Sequence, residues 1–293
     1  MLENQDVFKA TIGGLGLTGL ITWVELQLRP LASRLIDSEY IQTSNIRETA
    51  RLIRESLDTH EYVVASLDSA ARPASAGRGL VIRGNHRTSP EHSTKLEQQY
   101  YRPPRCTVPC ILPFTPLTAS TITVFSTLAY HWRFQARKKS LVHYDAFFYP
   151  QDAIGYWNRL YGRRGFLQYQ CQLPHQASEE AVRELLSKVR AAGVASPITT
   201  LKPLGKKNTP ALLSFPRPGL TLALDFPNSG KHLFRLLDSL DATVRQAAGC
   251  LYPAKDARMS PSMFRYSFPE VDQLIPYIDP AFSSSFWRRV YGR

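Results

Sequence analysis

Between Leu20 and Arg29 apolar and polar residues alternate. Leu20, Thr22, Val24, Leu26 and Leu28 fall on one side, and Trp23, Glu25, Gln27 and Arg29 on the other. A period of two predicts a half-buried strand, which Pro30 closes. The same reading places strands at 34–42, 62–68, 80–83, 146–149, 165–173 and 197–204, two more across 209–224, and a short one at 251–254. The helical period predicts three amphipathic helices. In 45–59, Asn45 and Glu48 form a capping box before the stripe Ile46, Ala50, Ile53 and Leu57. In 178–192, Ser178 caps a first turn carrying Glu179 and Glu180. In 230–248 the stripe is Leu233, Leu236, Leu237, Leu240 and Val244. Further helices are expected at 118–136 and 152–161, with two short ones near the C-terminus, and 87–109 reads as a polar, irregular excursion. Strands and helices do not alternate regularly. The expected class is therefore α+β, a large antiparallel sheet with helices on one side.

Bulk properties change this picture only at its edges. The chain has 293 residues, 43% of them hydrophobic and 20% charged, which is ordinary for a folded protein with a sizeable core. Its net charge of +12 favours an anionic partner. The basic residues are scattered, with clusters only at 133–139 and 288–293, so a nucleic-acid partner is not expected. The uncharged run 110–130 is long enough to span a bilayer, but Pro113 and Pro116 interrupt it. A helix docked at the surface, with peripheral membrane contact through the neighbouring basic cluster, is the expectation. No signal peptide is visible, so a cytoplasmic protein with reduced thiols is expected. The four cysteines include Cys106 and Cys110 at C-x-x-x-C spacing, but no second pair completes a metal site. No G-x-S-x-G or H-E-x-x-H occurs, which leaves a hydrolase unsupported.

The residues that could carry chemistry are few. Gly14, Gly16 and Gly19 spell G-x-G-x-x-G, but neither a preceding core strand nor a following helix supports a dinucleotide fold there. The glycines mark either a tight turn or a loop where backbone approaches a ligand. In 165–173, Gln168, Gln170 and Gln172 share one face, either an ordinary wet face or the wall of a polar pocket. Tyr252, Lys255 and Asp256 follow a strand. Lys255 is either an exposed partner of Asp256 or an amine placed to neutralise a developing oxyanion or move a proton. Lys202 stands at a strand end, and Asp225 closes an apolar strand as a turn cap or a site residue.

The blocks ATIGGLGLTGLI, FFYPQDAIGYWNRLYGRRGFLQYQ, LLSFPRPG, LALDFP and LYPAKDAR, in that order, resemble the FAD-dependent oxidases of the vanillyl-alcohol-oxidase superfamily, on the branch of decaprenylphosphoryl-ribose 2-oxidases and aldonolactone oxidases. The resemblance covers nearly the whole chain. It implies that 1–30 closes an FAD domain, that 31–293 is a substrate domain, and that 251–293 returns towards the flavin. It implies an FAD-contacting loop at Gly13, Gly14, Gly16, Thr18, Gly19 and Ile21. Lys255 and Tyr252 become catalytic residues, with Lys255 also near the flavin. Gln168, Gln170 and Lys202 become substrate contacts, and Asp225 is grouped with them. No metal is implied, and a short-chain reductase is the implied partner. The family's pyrophosphate loop and flavin-linked histidine have no counterpart in this sequence, and Ala223 stands where one subgroup carries cysteine. The expected function is oxidation of a CH–OH group of a sugar, sugar lactone or polyol by hydride transfer to flavin, in a chain lacking most of the FAD domain. A non-catalytic binding module that keeps the fold is the alternative.

Overall fold

The computed structural model describes residues 4–88, 103–132, 137–205 and 209–292. In chain order the strands are β1 (Leu35–Thr43), β2 (Tyr62–Leu67), β3 (Gly79–His86), β4 (Cys106–Thr107), β5 (Arg137–His143), β6 (Ile154–Gly155), β7 (Phe166–Leu173), β8 (Thr199–Leu204), β9 (Gly219–Pro227) and β10 (Cys250–Leu251). The helices are α1 (Gln5–Thr11), α2 (Ile46–Ser56), α3 (Ala119–Trp132), α4 (Tyr144–Phe148), α5 (Ser178–Ala191), α6 (Lys231–Gln246), α7 (Pro261–Ser267) and α8 (Ser285–Tyr291). Eight strands form one sheet in the order β10-β7-β9-β8-β2-β3-β1-β5, every neighbour antiparallel. The α+β class read from the sequence is the class observed.

The pleat divides this sheet into two unlike faces. Tyr169, Cys171, Leu173, Leu201, Leu222 and Leu224 point into a core closed by α2, α5 and α6. The three helices are tied laterally: Arg54 pairs with Glu179 at 2.8 Å, and Lys188 donates to Thr243 Oγ1 at 2.6 Å. The stripe of α6 is buried as its period predicts. In α2 the side chain of Asn45 caps the Glu48 N–H, and Glu48 reaches back to the N–H of Ser44. Leu57, expected in the α2 stripe, lies beyond the last turn and is exposed. On the other face, Phe147 and Phe148 of α4 meet Tyr62 edge-on, and Gln42 donates to the carbonyl of Tyr130 in α3. The remainder of that face, over β7, β9 and β8, carries the polar residues considered below.

Several expected elements differ. Residues 20–28 form no strand. No described strand runs beside them, and both sides of the alternation are exposed, Leu20 at 78% and Trp23 at 76%. Alternation signals a pleat only where a neighbour supplies hydrogen bonds. Within 209–224 only β9 forms. Pro210, Pro216 and Pro218 remove donors from the preceding stretch, which turns instead. Residues 146–149 fall in α4 and beyond it, because His143 caps the N–H of Asp145 and starts a helical turn. Residues 152–161 break into 3₁₀ turns flanking β6, with Tyr156 in the left-handed region between them. Ser178 is the first residue of α5 rather than its cap, and donates to the carbonyl of His175. Part of the excursion 87–109 and the end of the helix 118–136 lie outside the described residues.

Candidate functional site

Gln168 and Gln170 on β7, Thr221 and Asp225 on β9, and Lys202 on β8 share the face opposite the helix layer. The register fixes this, because Gln168 stands opposite Asp225, Gln172 opposite Thr221, and Lys202 opposite Thr221. The glutamine face is therefore real, but it is not simply wet. Gln172 is buried and donates to the carbonyl of Pro218 at 3.0 Å. Gln170 donates to Thr221 Oγ1 at 3.0 Å, and Gln168 to Asp225 Oδ1 at 2.9 Å. Lys202 lies within β8, exposed, one strand beyond Thr221.

Lys255 reaches the same face from the turn after β10. Its Nζ donates to Gln168 Oε1 at 2.6 Å. It does not pair with Asp256, the exposed alternative left open by the sequence. Asp256 instead binds Arg289 of α8 and accepts the backbone N–H groups of Arg258 and Met259. Arg258 forms a fork onto Asp241 of α6, with both bonds at 2.7 Å, and Tyr169 donates to the same carboxylate at 3.1 Å. The lysine turn is thus held on two sides. Tyr252 stacks on Phe215 with ring centroids 4.5 Å apart, and its N–H donates to the carbonyl of Gln170.

Asp225 sits at 4% exposure. Burial pushes its carboxyl above the ordinary aspartate value, and the bond from Gln168 and the charge of Lys255 pull it back. The hydroxyl of Tyr161 is buried without a partner among the described residues, and burial together with the Asp225 charge raises its ionisation well above the ordinary phenol value. A cavity of about 20 Å³ beside Lys255, walled by Gln168, Gln170, Tyr252 and Met259, has room for one water-sized group.

The glycine loop follows α1. Gly13 and Gly16 have φ of 71° and Gly19 of 131°, so all three occupy backbone that favours glycine. A Cβ on Gly13 would press the carbonyl of Leu213 at 2.9 Å, whereas Gly16 and Gly19 face open space. Thr18 shares a hydrogen bond with Thr11 at 2.9 Å, Gly14 packs against the carbonyl of Ala10, and Ile21 is exposed. No hydrogen bond joins this loop to Lys255 or Tyr252 among the described residues. Sheet register sets Gln168, Gln170, Lys202 and Asp225 on one face, the turn after β10 brings Lys255 to Gln168, and the glycine loop remains a separate feature.

Sequence reasoning missed Thr221, Tyr161 and the Arg258–Asp241 fork. Thr221 was within reach, because it has the parity of Asp225 along β9. Nothing in the sequence pairs Arg258 with Asp241, because α6 and the lysine turn meet only in the fold. Burial pushes the Cys250 thiol up to about 11, so it is not a reactive thiolate at neutral pH. No cluster able to hold a metal occurs among the described residues.

No family model matches the chain. It is 31% identical over 297 residues to a protein of Mycolicibacterium smegmatis named decaprenylphosphoryl-beta-D-ribose oxidase, a match that covers 98% of this chain and 64% of that relative. It is 29% identical over 304 residues to an uncharacterised Streptomyces coelicolor protein encoded in the mprA 5' region, covering 98% of this chain and 81% of that one. The chain is therefore similar over nearly its whole length to an oxidase of which it spans less than two-thirds.

Proposed function

We propose that this chain forms the substrate-binding part of an FAD-dependent oxidoreductase acting on the CH–OH group of a sugar, sugar lactone or polyol. One observation carries the reading: the 2.6 Å contact that sets the Lys255 ammonium on the polar sheet face beside Gln168, with Asp225 behind it and Gln170 and Lys202 on the same face. Similarity to the named oxidase supports it. The residues present fit contact with a flavin in two respects. Gly16 and Gly19 leave room for close approach to backbone, and Lys255 offers a cationic donor. Gly13, Gly14, Thr18 and Ile21 belong to the same loop. A bound flavin supplies the capacity to accept a hydride.

The chain's own part is positioning and charge. Gln170 offers an amide carbonyl to a substrate hydroxyl while its amino group stays on Thr221. Lys202, exposed at the far side of the face, suits a second hydroxyl or an anionic group. Lys255 lowers the cost of negative charge developing on the alcohol oxygen as its proton passes to solvent. Tyr252, braced by Phe215, fixes the wall beside it. A short-chain reductase acting on the carbonyl product is the partner this chemistry suits.

The test is anaerobic photometry of the FAD-loaded protein with pentoses, aldonolactones and polyols. At least one class should bleach the oxidised flavin, and Lys255→Ala should slow bleaching by about a hundredfold or more while FAD stays bound. Bound FAD that no member of the panel reduces would remove the reading. A second reading is a non-catalytic binding module that keeps the fold, whose polar sheet face offers paired amide donors and acceptors to a hydroxylated ligand. That module would bind members of the panel in calorimetry with no need of FAD.

A further inference from the structure

Three groups form a chain across two strands and a turn. Lys255 Nζ donates to Gln168 Oε1 at 2.6 Å, and Gln168 Nε2 donates to Asp225 Oδ1 at 2.9 Å. An ammonium can only donate, an ionised carboxylate can only accept, and a glutamine amide can do either, according to which way it is turned. We infer that Asp225 is a positioning residue: by accepting the Gln168 amino group it fixes the turn of that amide, so the carbonyl faces Lys255 and holds the ammonium in place. The inference rests on the reading that Lys255 faces the reacting alcohol. It assigns Asp225 a task other than touching substrate.

The surroundings make Asp225 suited to this. Its side chain is out of water at 4% exposure, so it cannot serve a solvent-borne ligand directly. Its backbone is fixed as well, because its N–H donates to Ser196 Oγ at 3.0 Å, and that serine is itself bonded to Ile198 and Ser69. Gln168 stands directly opposite on β7, which leaves the amide little choice of partner on that side. A carboxylate there costs desolvation, a penalty that an apolar residue at the same position would not incur. What the carboxylate supplies, and an amide does not, is a one-way preference. In Asp225→Asn the new side chain can present oxygen or nitrogen, so Gln168 can turn over and set its amino group against the ammonium. A charge-assisted bond is then exchanged for a repulsive contact.

The experiment needs neither flavin nor substrate, so its failure is distinct from failure of the redox reading. Purified protein is treated with limiting acetic anhydride, and acetylation of each lysine is followed by peptide mass spectrometry, with exposed Lys139 as the internal reference. In Asp225→Asn, Lys255 should react about tenfold faster, the scale of one lost charge-assisted bond. Gln168→Leu, which removes the acceptor itself, should give the same rise. An unchanged Lys255 rate in a folded Asp225→Asn protein would overturn the inference, as would a rise in Gln168→Leu alone. A wild-type measurement stands independent of any variant: the Gln168 amide protons should give two slowly exchanging resonances by NMR. A freely rotating, rapidly exchanging amide would also overturn it. In the FAD-loaded enzyme, Asp225→Asn should lower kcat with KM little changed.

Discussion

Two buried carboxylates show that burial alone does not fix what a charge does to stability. Glu39 is pushed up by burial, but hydrogen bonds from Arg137 and Arg83 outweigh it, and its net position is below the ordinary glutamate value. A lowered acid stabilises the fold above its unfolded value of about 4.3, and that contribution fades as pH falls through the lower, folded value. Asp225 is the reverse. Its raised value means that the unfolded chain holds its proton less tightly, so folding stability falls as pH rises from the ordinary aspartate value through the folded one. Denaturant melts across pH 3 to 7 should therefore separate Glu39→Gln from Asp225→Asn. The first should lower stability at pH 7 and lose most of its effect at pH 3. The second should raise stability at pH 7 even as it loosens Lys255. Equal pH profiles for the two variants would contradict both assignments.

Among elements, the turn from Pro253 to Met259 is tied at several points. Arg258 is nearly enclosed, and its fork onto Asp241 joins the turn to α6 while Tyr169 joins the same carboxylate to β7. Arg258→Ala would leave Asp241 inside without a cation, and should cost about 3 kcal/mol in a chemical melt. An effect below about 0.5 kcal/mol would show the fork to be dispensable. How much of this was legible in the sequence varies by element. The stripes of α2, α5 and α6 and the alternation in β7 could be read, because burial of one face follows directly from period. That Asp225 and Lys202 share the face of Gln168 and Gln170 could not, because register is set by partners that lie far apart along the chain. The alternation at 20–28 misled for the same reason, since it records a pleat without naming its neighbour. Lys255 could be singled out, but its bond to Gln168 rather than Asp256 depended on α8 arriving to take the aspartate.

At the scale of the whole molecule, apolar surface is concentrated outside the sheet face just described. Val124, Phe125 and Leu128 of α3 are exposed, as are Ile111 and Phe114 before it, Phe114 at 84%. No acidic residue occurs between 103 and 132, and the exposed basic residues Lys138 and Lys139 lie on β5 beside β1, whose end α3 touches through Tyr130. No helix among the described residues is long and apolar enough to cross a membrane. A surface of this composition suits the interface of an anionic bilayer. The protein should sediment with phosphatidylglycerol-containing vesicles and much less with neutral ones. Phe125→Ser together with Leu128→Ser should abolish binding, and salt should weaken it; equal partition onto both kinds of vesicle would dispose of the electrostatic part.

The bond between Asp256 and Arg289 has a consequence for how the molecule is made. Synthesis runs from the N-terminus, so most of the sheet and its helix layer can assemble before α8 leaves the ribosome. Until Arg289 emerges, Asp256 lacks its cation and is held only by the N–H groups of Arg258 and Met259. The bracing of the lysine turn is thus completed only by α8, and a product cut before Ser285 would keep the sheet with a looser turn beside Lys255.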